Sequence, residues 1–200
     1  MKLVVASNNA HKIAELNAIL SRLGMEVVSQ REAGVHIEPE ETGTTFEENS
    51  YIKAKAVLEA SGMAAVADDS GLMVEALGGA PGVYSARFGG AECKTDRDRL
   101  EYLLKKMEGQ ENRAAKFVSV ITVLTPDGRK LVARGECPGV LLTEPHGDNG
   151  FGYDPIFFYP QKGCTFAELP AEEKNKISHR SRALKLLSER IQKEWNHADK

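Results

Sequence analysis

Two adjacent aspartates close a short apolar run: Ala64-Ala65-Val66-Ala67 leads into Asp68-Asp69-Ser70-Gly71. Neighbouring carboxylates at a strand end are costly to bury and repel each other unless a cation lies between them. Successive strand side chains point to opposite faces, so one metal can meet both only if the chain turns, and Ser70-Gly71 is expected to kink there. Mg²⁺ suits such a pair, because it takes one or two carboxylates and leaves its other positions to water and phosphate. An ordinary acidic turn would have the same composition.

A second set lies at the first strand–helix junction, Ser7-Asn8-Asn9-Ala10-His11-Lys12. A helix N-terminus presents free N–H groups and partial positive charge to phosphate, and Lys12 could reach a terminal phosphate. Alone, the segment reads equally as an N-cap with a surface lysine. It is no P-loop, and the chain holds no G-x-G-x-x-G. A third element, Glu38–Glu41 with Gly43, precedes a helix carrying Asn49 and Lys53 four residues apart, hence on one face. Beside a metal it adds a carboxylate and a phosphate-neutralising lysine; otherwise it is a solvated face. Finally, Phe151-Gly152-Tyr153-Asp154, Lys174 and Ser178-His179-Arg180 pair an aromatic between glycines with nitrogen donors at a helix start. Glycine lets a flat base approach the ring closely, although a core aromatic and a capped helix would read alike.

These sets need a scaffold, and the 200 residues suffice for one domain, or one domain with two lobes. The hydrophobic share of 42% with 28% charged residues is globular rather than disordered. A net charge of −3 gives no basic field for nucleic acid or an anionic membrane. No apolar run approaches the ~20 residues of a membrane span, and the N-terminus lacks the apolar core of a signal peptide. The 3 cysteines are scattered, which fits a reducing cytoplasm better than a disulfide framework or a zinc site.

Periodicity predicts a strand over Lys2–Ala6, then a helix with Ile13, Leu16, Ile19 or Leu20, and Leu23 inward, stopped by Gly24. Met25–Ser29 reads as a strand, and Gln30–Thr44 as a polar loop longer than packing requires. Thr45 and Glu48 have capping-box spacing for a helix to about Ala60. Thr95 caps a third helix, Pro126-Asp127-Gly128 turns a hairpin between Lys116–Leu124 and Lys130–Glu136, and Ser178 starts the last helix. The alternation predicts an α/β fold with a mixed sheet.

Taken together, SNNAHK, ETGTTFEENS, ADDSGL, GGAPGVYSARF, GFGYDPIF and EEKNKISHR resemble the inosine/xanthosine triphosphate pyrophosphatase family from Ser7 to Arg180. The resemblance implies an elongated mixed β-sheet with flanking helices, two lobes around a central nucleotide-binding cleft. It implies Mg²⁺-dependent cleavage of ITP, dITP or XTP to monophosphate and pyrophosphate by a cytoplasmic homodimer that engages neither nucleic acid nor membrane. On this chain Ser7, Asn8, Asn9, Ala10, His11 and Lys12 would bind triphosphate. Glu41 and Asp69 would hold the metal, with the E-x-G spacing favouring Glu41 over Glu40. Asp69 would accept a proton, supported by Asp68 and Lys53. Ser70, Phe151, Gly152, Tyr153, Asp154, Lys174, His179 and Arg180 would contact the substrate. A nucleotide sensor without catalysis, or a related septum-site pyrophosphatase preferring modified pyrimidines, would share parts of this pattern. The intact aspartate pair argues against the first, and the FGYD and SHR segments against the second.

Overall fold

The computed structural model describes residues 2–195, except for the Leu23 side chain. Seven strands form one mixed sheet in the order β2-β1-β3-β4-β5-β6-β7. In chain order the elements are β1 (Lys2–Val5), α1 (Ala10–Leu20), β2 (Glu26–Ser29), α2 (Phe46–Ser61), β3 (Ala65–Val74) and α3 (Asp96–Lys106). They continue as β4 (Ala114–Leu124), β5 (Lys130–Leu141), β6 (Phe157–Tyr159), β7 (Cys164–Thr165), α4 (Ala171–Ile177) and α5 (His179–Glu194). β1 runs parallel to β2 and β3, whereas β5, β6 and β7 pair antiparallel. The expected mixed α/β architecture is therefore present.

The chain divides into two compact units, the first built from residues 1–69, 119–135 and 180–200, the second from 70–118 and 136–179. In the first, strand alternation sorts side chains onto two faces. Leu3, Val5, Val66, Ile121 and Val123 pack with Leu16 and Leu20 of α1 and with Ala183, Leu184 and Leu187 of α5. Val4, Ala6, Ala65, Ala67 and Leu124 pack instead with Ala54 and Val57 of α2. The second unit has its own core, in which Phe117, Phe157 and Phe166 gather with Leu100 and Leu103 of α3. The ring centroids of Phe117 and Phe157 lie 4.5 Å apart, within the range of favourable aromatic pairs.

Local signals explain the helix ends. Thr45 and Glu48 form the capping box of α2, and Thr95 and Asp98 that of α3. The β4–β5 turn closes through Gly128 N–H on the Thr125 carbonyl at 3.0 Å, and Gly128 sits at φ 87°, open chiefly to glycine.

One expectation changes, and one helix was not foreseen. No kink occurs at Ser70-Gly71: β3 continues through both residues to Val74. Between β1 and β4 in the sheet, the strand is held extended, and Gly71 keeps a negative φ. The last helix is also preceded by a separate one. Ser178 ends α4 in an extended conformation (φ −64°, ψ 161°), and α5 begins at His179. No helix among the described residues is long and apolar enough to cross a membrane.

Candidate active site

The straight course of β3 puts its two aspartates on opposite faces. Asp68 joins the α1/α5 side. Its Oδ2 lies 3.0 Å from Lys12 Nζ and 3.1 Å from Arg180 Nη2, and its Oδ1 accepts from Ser119 Oγ at 2.5 Å. Arg180, 1% exposed, also pairs with Glu15 of α1. Burial would raise the Asp68 carboxyl, but Arg180, Lys12, the Ser119 hydroxyl and Lys53 outweigh it and hold the group well below the usual range. Conversely, burial works against the Arg180 charge, and Asp68 and Glu15 more than restore it. Removing one member of such a buried set typically costs ~3–5 kcal/mol. Asp68 is thus a fixed anion that anchors Lys12 and Arg180.

Asp69 faces α2. Lys53 Nζ donates to Asp69 Oδ1 at 2.7 Å and to the Asp68 carbonyl at 3.0 Å, and lies 3.1 Å from Glu41 Oε1. Burial raises the Asp69 carboxyl further than Lys53 lowers it, and the Asp69 and Glu41 charges keep Lys53 cationic despite its burial. Asp69 Oδ2 is buried and has no hydrogen-bond partner among the described residues. Such an orphaned acceptor is costly and is the feature a cation would satisfy. No three His, Cys, Asp or Glu side chains among the described residues gather tightly enough to cage an ion. A hard cation that keeps water and phosphate oxygens requires only one or two carboxylates, and Asp69 with Glu41 meets that requirement. The expected sharing of one ion by Asp68 and Asp69 is not possible with the two on opposite faces.

At the β1–α1 junction Asn9 is the N-cap, its Oδ1 accepting from His11 N–H at 3.0 Å and Lys12 N–H at 3.1 Å. Ser7 Oγ accepts from Asn9 N–H at 3.1 Å, and Asn8 Nδ2 donates to Glu38 at 2.9 Å. Ala10 opens the helix. The Ser7–Lys12 segment thus presents an exposed helix start with Lys12 drawn onto Asp68.

In the second unit, Lys174 is buried, with Nζ 2.6 Å from Asp154 Oδ2 and 4.8 Å from the Phe151 ring centroid. Asp154 Oδ2 also accepts Phe151 N–H at 3.0 Å, while Gly152 N–H goes to Asp96 Oδ2 at 2.8 Å. A Cβ on Gly150 would lie 2.0 Å from Asp154 Oδ2, so only glycine fits. Tyr153 donates its hydroxyl to the Ser85 carbonyl at 2.8 Å, which ties the loop to the 82–87 turn. His179 stacks on Phe117 at 4.8 Å, and Ser70 is half-buried on β3. Arg180, adjacent to His179 in sequence, pairs with Asp68 and Glu15.

Glu15, Ser119 and Asp96 escaped the sequence reading. Glu15 follows Lys12 by one helical turn, which is a usable signal; Ser119 and Asp96 meet their partners only through the fold.

The sequence model of the Ham1 family matches residues 3–190. The chain belongs to the Ham1 family. This Ham1 chain is 50% identical over 193 residues to a dITP/XTP pyrophosphatase of Haemophilus influenzae, covering 95% of this chain and 98% of that one. It is 49% identical over 201 residues to a dITP/XTP pyrophosphatase of Desulforamulus reducens, both chains being covered in full. Among solved structures, a Ham1 protein of Staphylococcus aureus superposes with a TM-score of 0.87 at 41% identity, over 97% of this chain and 100% of that one. One from Coxiella burnetii gives 0.88 at 41% identity, over 96% and 99%.

Proposed function

We propose that this Ham1 protein hydrolyses deaminated purine nucleoside triphosphates, ITP, dITP and XTP, to the monophosphate and pyrophosphate. The observation that carries this is the buried Asp69 carboxylate, fixed through Oδ1 by Lys53 and bare at Oδ2, in a chain so similar to dITP/XTP pyrophosphatases. Water adds at the α-phosphorus, the α–β phosphoanhydride bond breaks, and pyrophosphate leaves with the bonding electron pair. Asp69 takes the proton of the attacking water. Its burial raises its proton affinity, which strengthens it as a base. Lys53 keeps that carboxylate in one orientation, so the barrier falls mainly through positioning and electrostatics. Glu41 and Asp69 would hold Mg²⁺, which when bound neutralises charge on the phosphate oxygens. Lys12 and the N-terminus of α1 meet the outer phosphates.

The Phe151 ring offers a face to the base, with Lys174 across it. Phe151, Gly152 and Asp154 amides are engaged within the protein, so Tyr153 N–H, Lys174 and His179 supply the donors to the base edge. The reading extends to a cytoplasmic homodimer, as the resemblance implies. The deciding experiment incubates the protein with ITP and Mg²⁺ and identifies the products. IMP with pyrophosphate supports the proposal; IDP with phosphate overturns it. Activity should vanish in excess EDTA and return on adding Mg²⁺, and full activity in chelator would remove the metal from the account.

Lys12→Ala should weaken ITP binding at least ~10-fold while leaving IMP nearly unchanged, because only the triphosphate carries outer charges for an ammonium to meet. Arg180 still neutralises Asp68 in that variant, so folding should persist. Equal losses for both ligands by calorimetry would reduce Lys12 to a structural counterion.

A further inference from the structure

We infer that Asn49 is a positioning residue that holds the Glu41 loop in place to complete the cation site, an inference that rests on the proposed metal role of Glu41 and Asp69. Asn49 lies on α2 one turn before Lys53 and is 0% exposed. Its Oδ1 accepts the Gly43 N–H at 2.8 Å, two residues beyond Glu41. The contact is tight enough to exclude a side chain: a Cβ on Gly43 would lie 2.6 Å from Asn49 Oδ1 and 2.6 Å from Glu48 Cβ. Glu48 clamps the following residues, its Oε2 accepting Thr44 N–H at 2.7 Å and Thr45 N–H at 3.2 Å. The first turns of α2 thus grip the chain from Gly43 to Thr45, and Glu41 extends from that grip to Lys53, whose other carboxylate partner is Asp69.

Packing alone does not account for the asparagine. Its Nδ2 is buried and has no hydrogen-bond partner among the described residues, and an unsatisfied buried amide is less favourable than an apolar group of similar shape. What an apolar residue could not supply is the acceptor for Gly43. Lys53, Asp69 and Asn49 all belong to α2 or β3, elements that pack in one core, whereas Glu41 sits outside any helix or strand, and the Asn49 bond to Gly43 is one of the ties from α2 to its loop.

The test compares Asn49→Ala and Gly43→Ala with Ser50→Ala, a control that removes the neighbouring buried bond to Thr122 Oγ1 (2.7 Å). Amide exchange over 41–44 and the Mg²⁺ concentration for half-maximal ITP hydrolysis are measured together with melting temperatures. Both Asn49→Ala and Gly43→Ala should speed exchange at 41–44 and raise the Mg²⁺ requirement ~10-fold or more, as loss of a partner behind a metal ligand typically does. The KM for ITP at saturating Mg²⁺ should change little, and the double variant should be less than additive because both changes break one contact. Ser50→Ala should lower stability without changing the Mg²⁺ requirement. If Asn49→Ala melts lower but keeps wild-type exchange at 41–44 and a wild-type Mg²⁺ requirement, Asn49 is a packing residue and the inference fails. A wild-type protein that needs no metal would instead overturn the proposed metal role, while faster exchange at 41–44 would still report the Asn49 grip.

Discussion

Asp69→Asn lowers kcat by at least ~10²-fold, the scale of a lost general base, while the melting temperature changes little. The substitution keeps size and shape, and its remaining oxygen still accepts from Lys53, so the local fold has no reason to move. What disappears is the carboxylate charge and the bare acceptor Oδ2, and with them the group's capacity to take a proton and hold a cation. Asparagine at pH 7 takes no proton, and its amide donors would face the space a cation should occupy. The loss should therefore appear in kcat and in the Mg²⁺ requirement, with ITP binding less affected. Steady-state kinetics beside a thermal melt separates the outcomes. Near-wild-type turnover would sink the assignment of Asp69 as base, and a collapsed melting transition would make it a strut like Asp68.

The second large effect is selectivity: kcat/KM for ITP, dITP and XTP exceeds that for ATP and GTP by ~10²-fold or more. A 6-oxopurine presents an acceptor at O6 and a donor at N1–H, and adenine presents the reverse. Donors placed for O6, from Lys174, His179 or the Tyr153 amide, would face the adenine amino group donor to donor. The unpaired polar groups then penalise ATP, since a site built to hydrogen-bond discriminates strongly against a mismatched edge. Guanine shares the 6-oxo edge, so GTP is refused at its 2-amino group. Xanthine carries a carbonyl there and is accepted by a donor. The 2′-hydroxyl should matter little, so ITP and dITP should run alike. Comparable rates for ATP and ITP under one Mg²⁺ concentration would leave a general nucleotide pyrophosphatase instead.

Much of the scaffold was legible because its signals are local. The Thr45–Glu48 capping box, the Pro126–Gly128 turn and the alternating apolar strands each act over a few residues, and the structure shows them where the pattern put them. Gly71 misled because glycine permits a turn but does not require one, and a strand with neighbours on both sides stays extended. The start of the last helix at Ser178 was legible, but α4 before it was missed because its 7 residues carry too short an apolar pattern to register. The division of labour between the aspartates was hidden for a related reason. It depends on which helix covers each face of β3, and the sequence displays that only after the chain has folded. Arg180 shows the limit most plainly. It pairs with Asp68 and Glu15, 112 and 165 positions earlier, and no local pattern displays such partners.

Those separations bear on how the molecule comes into being. Glu15 and Asp68 leave the ribosome early, and the guanidinium that neutralises them follows only after the whole 136–179 stretch of the second unit has been made. Until then Asp68 has Lys12 and Ser119 but lacks the guanidinium it shares with Glu15, and an incompletely paired buried carboxylate is costly. Contacts so distant in sequence raise the contact order, which slows folding. The ion cluster therefore ties the two ends of the chain together: Glu15 and Asp68 meet their shared guanidinium only when residue 180 is in place.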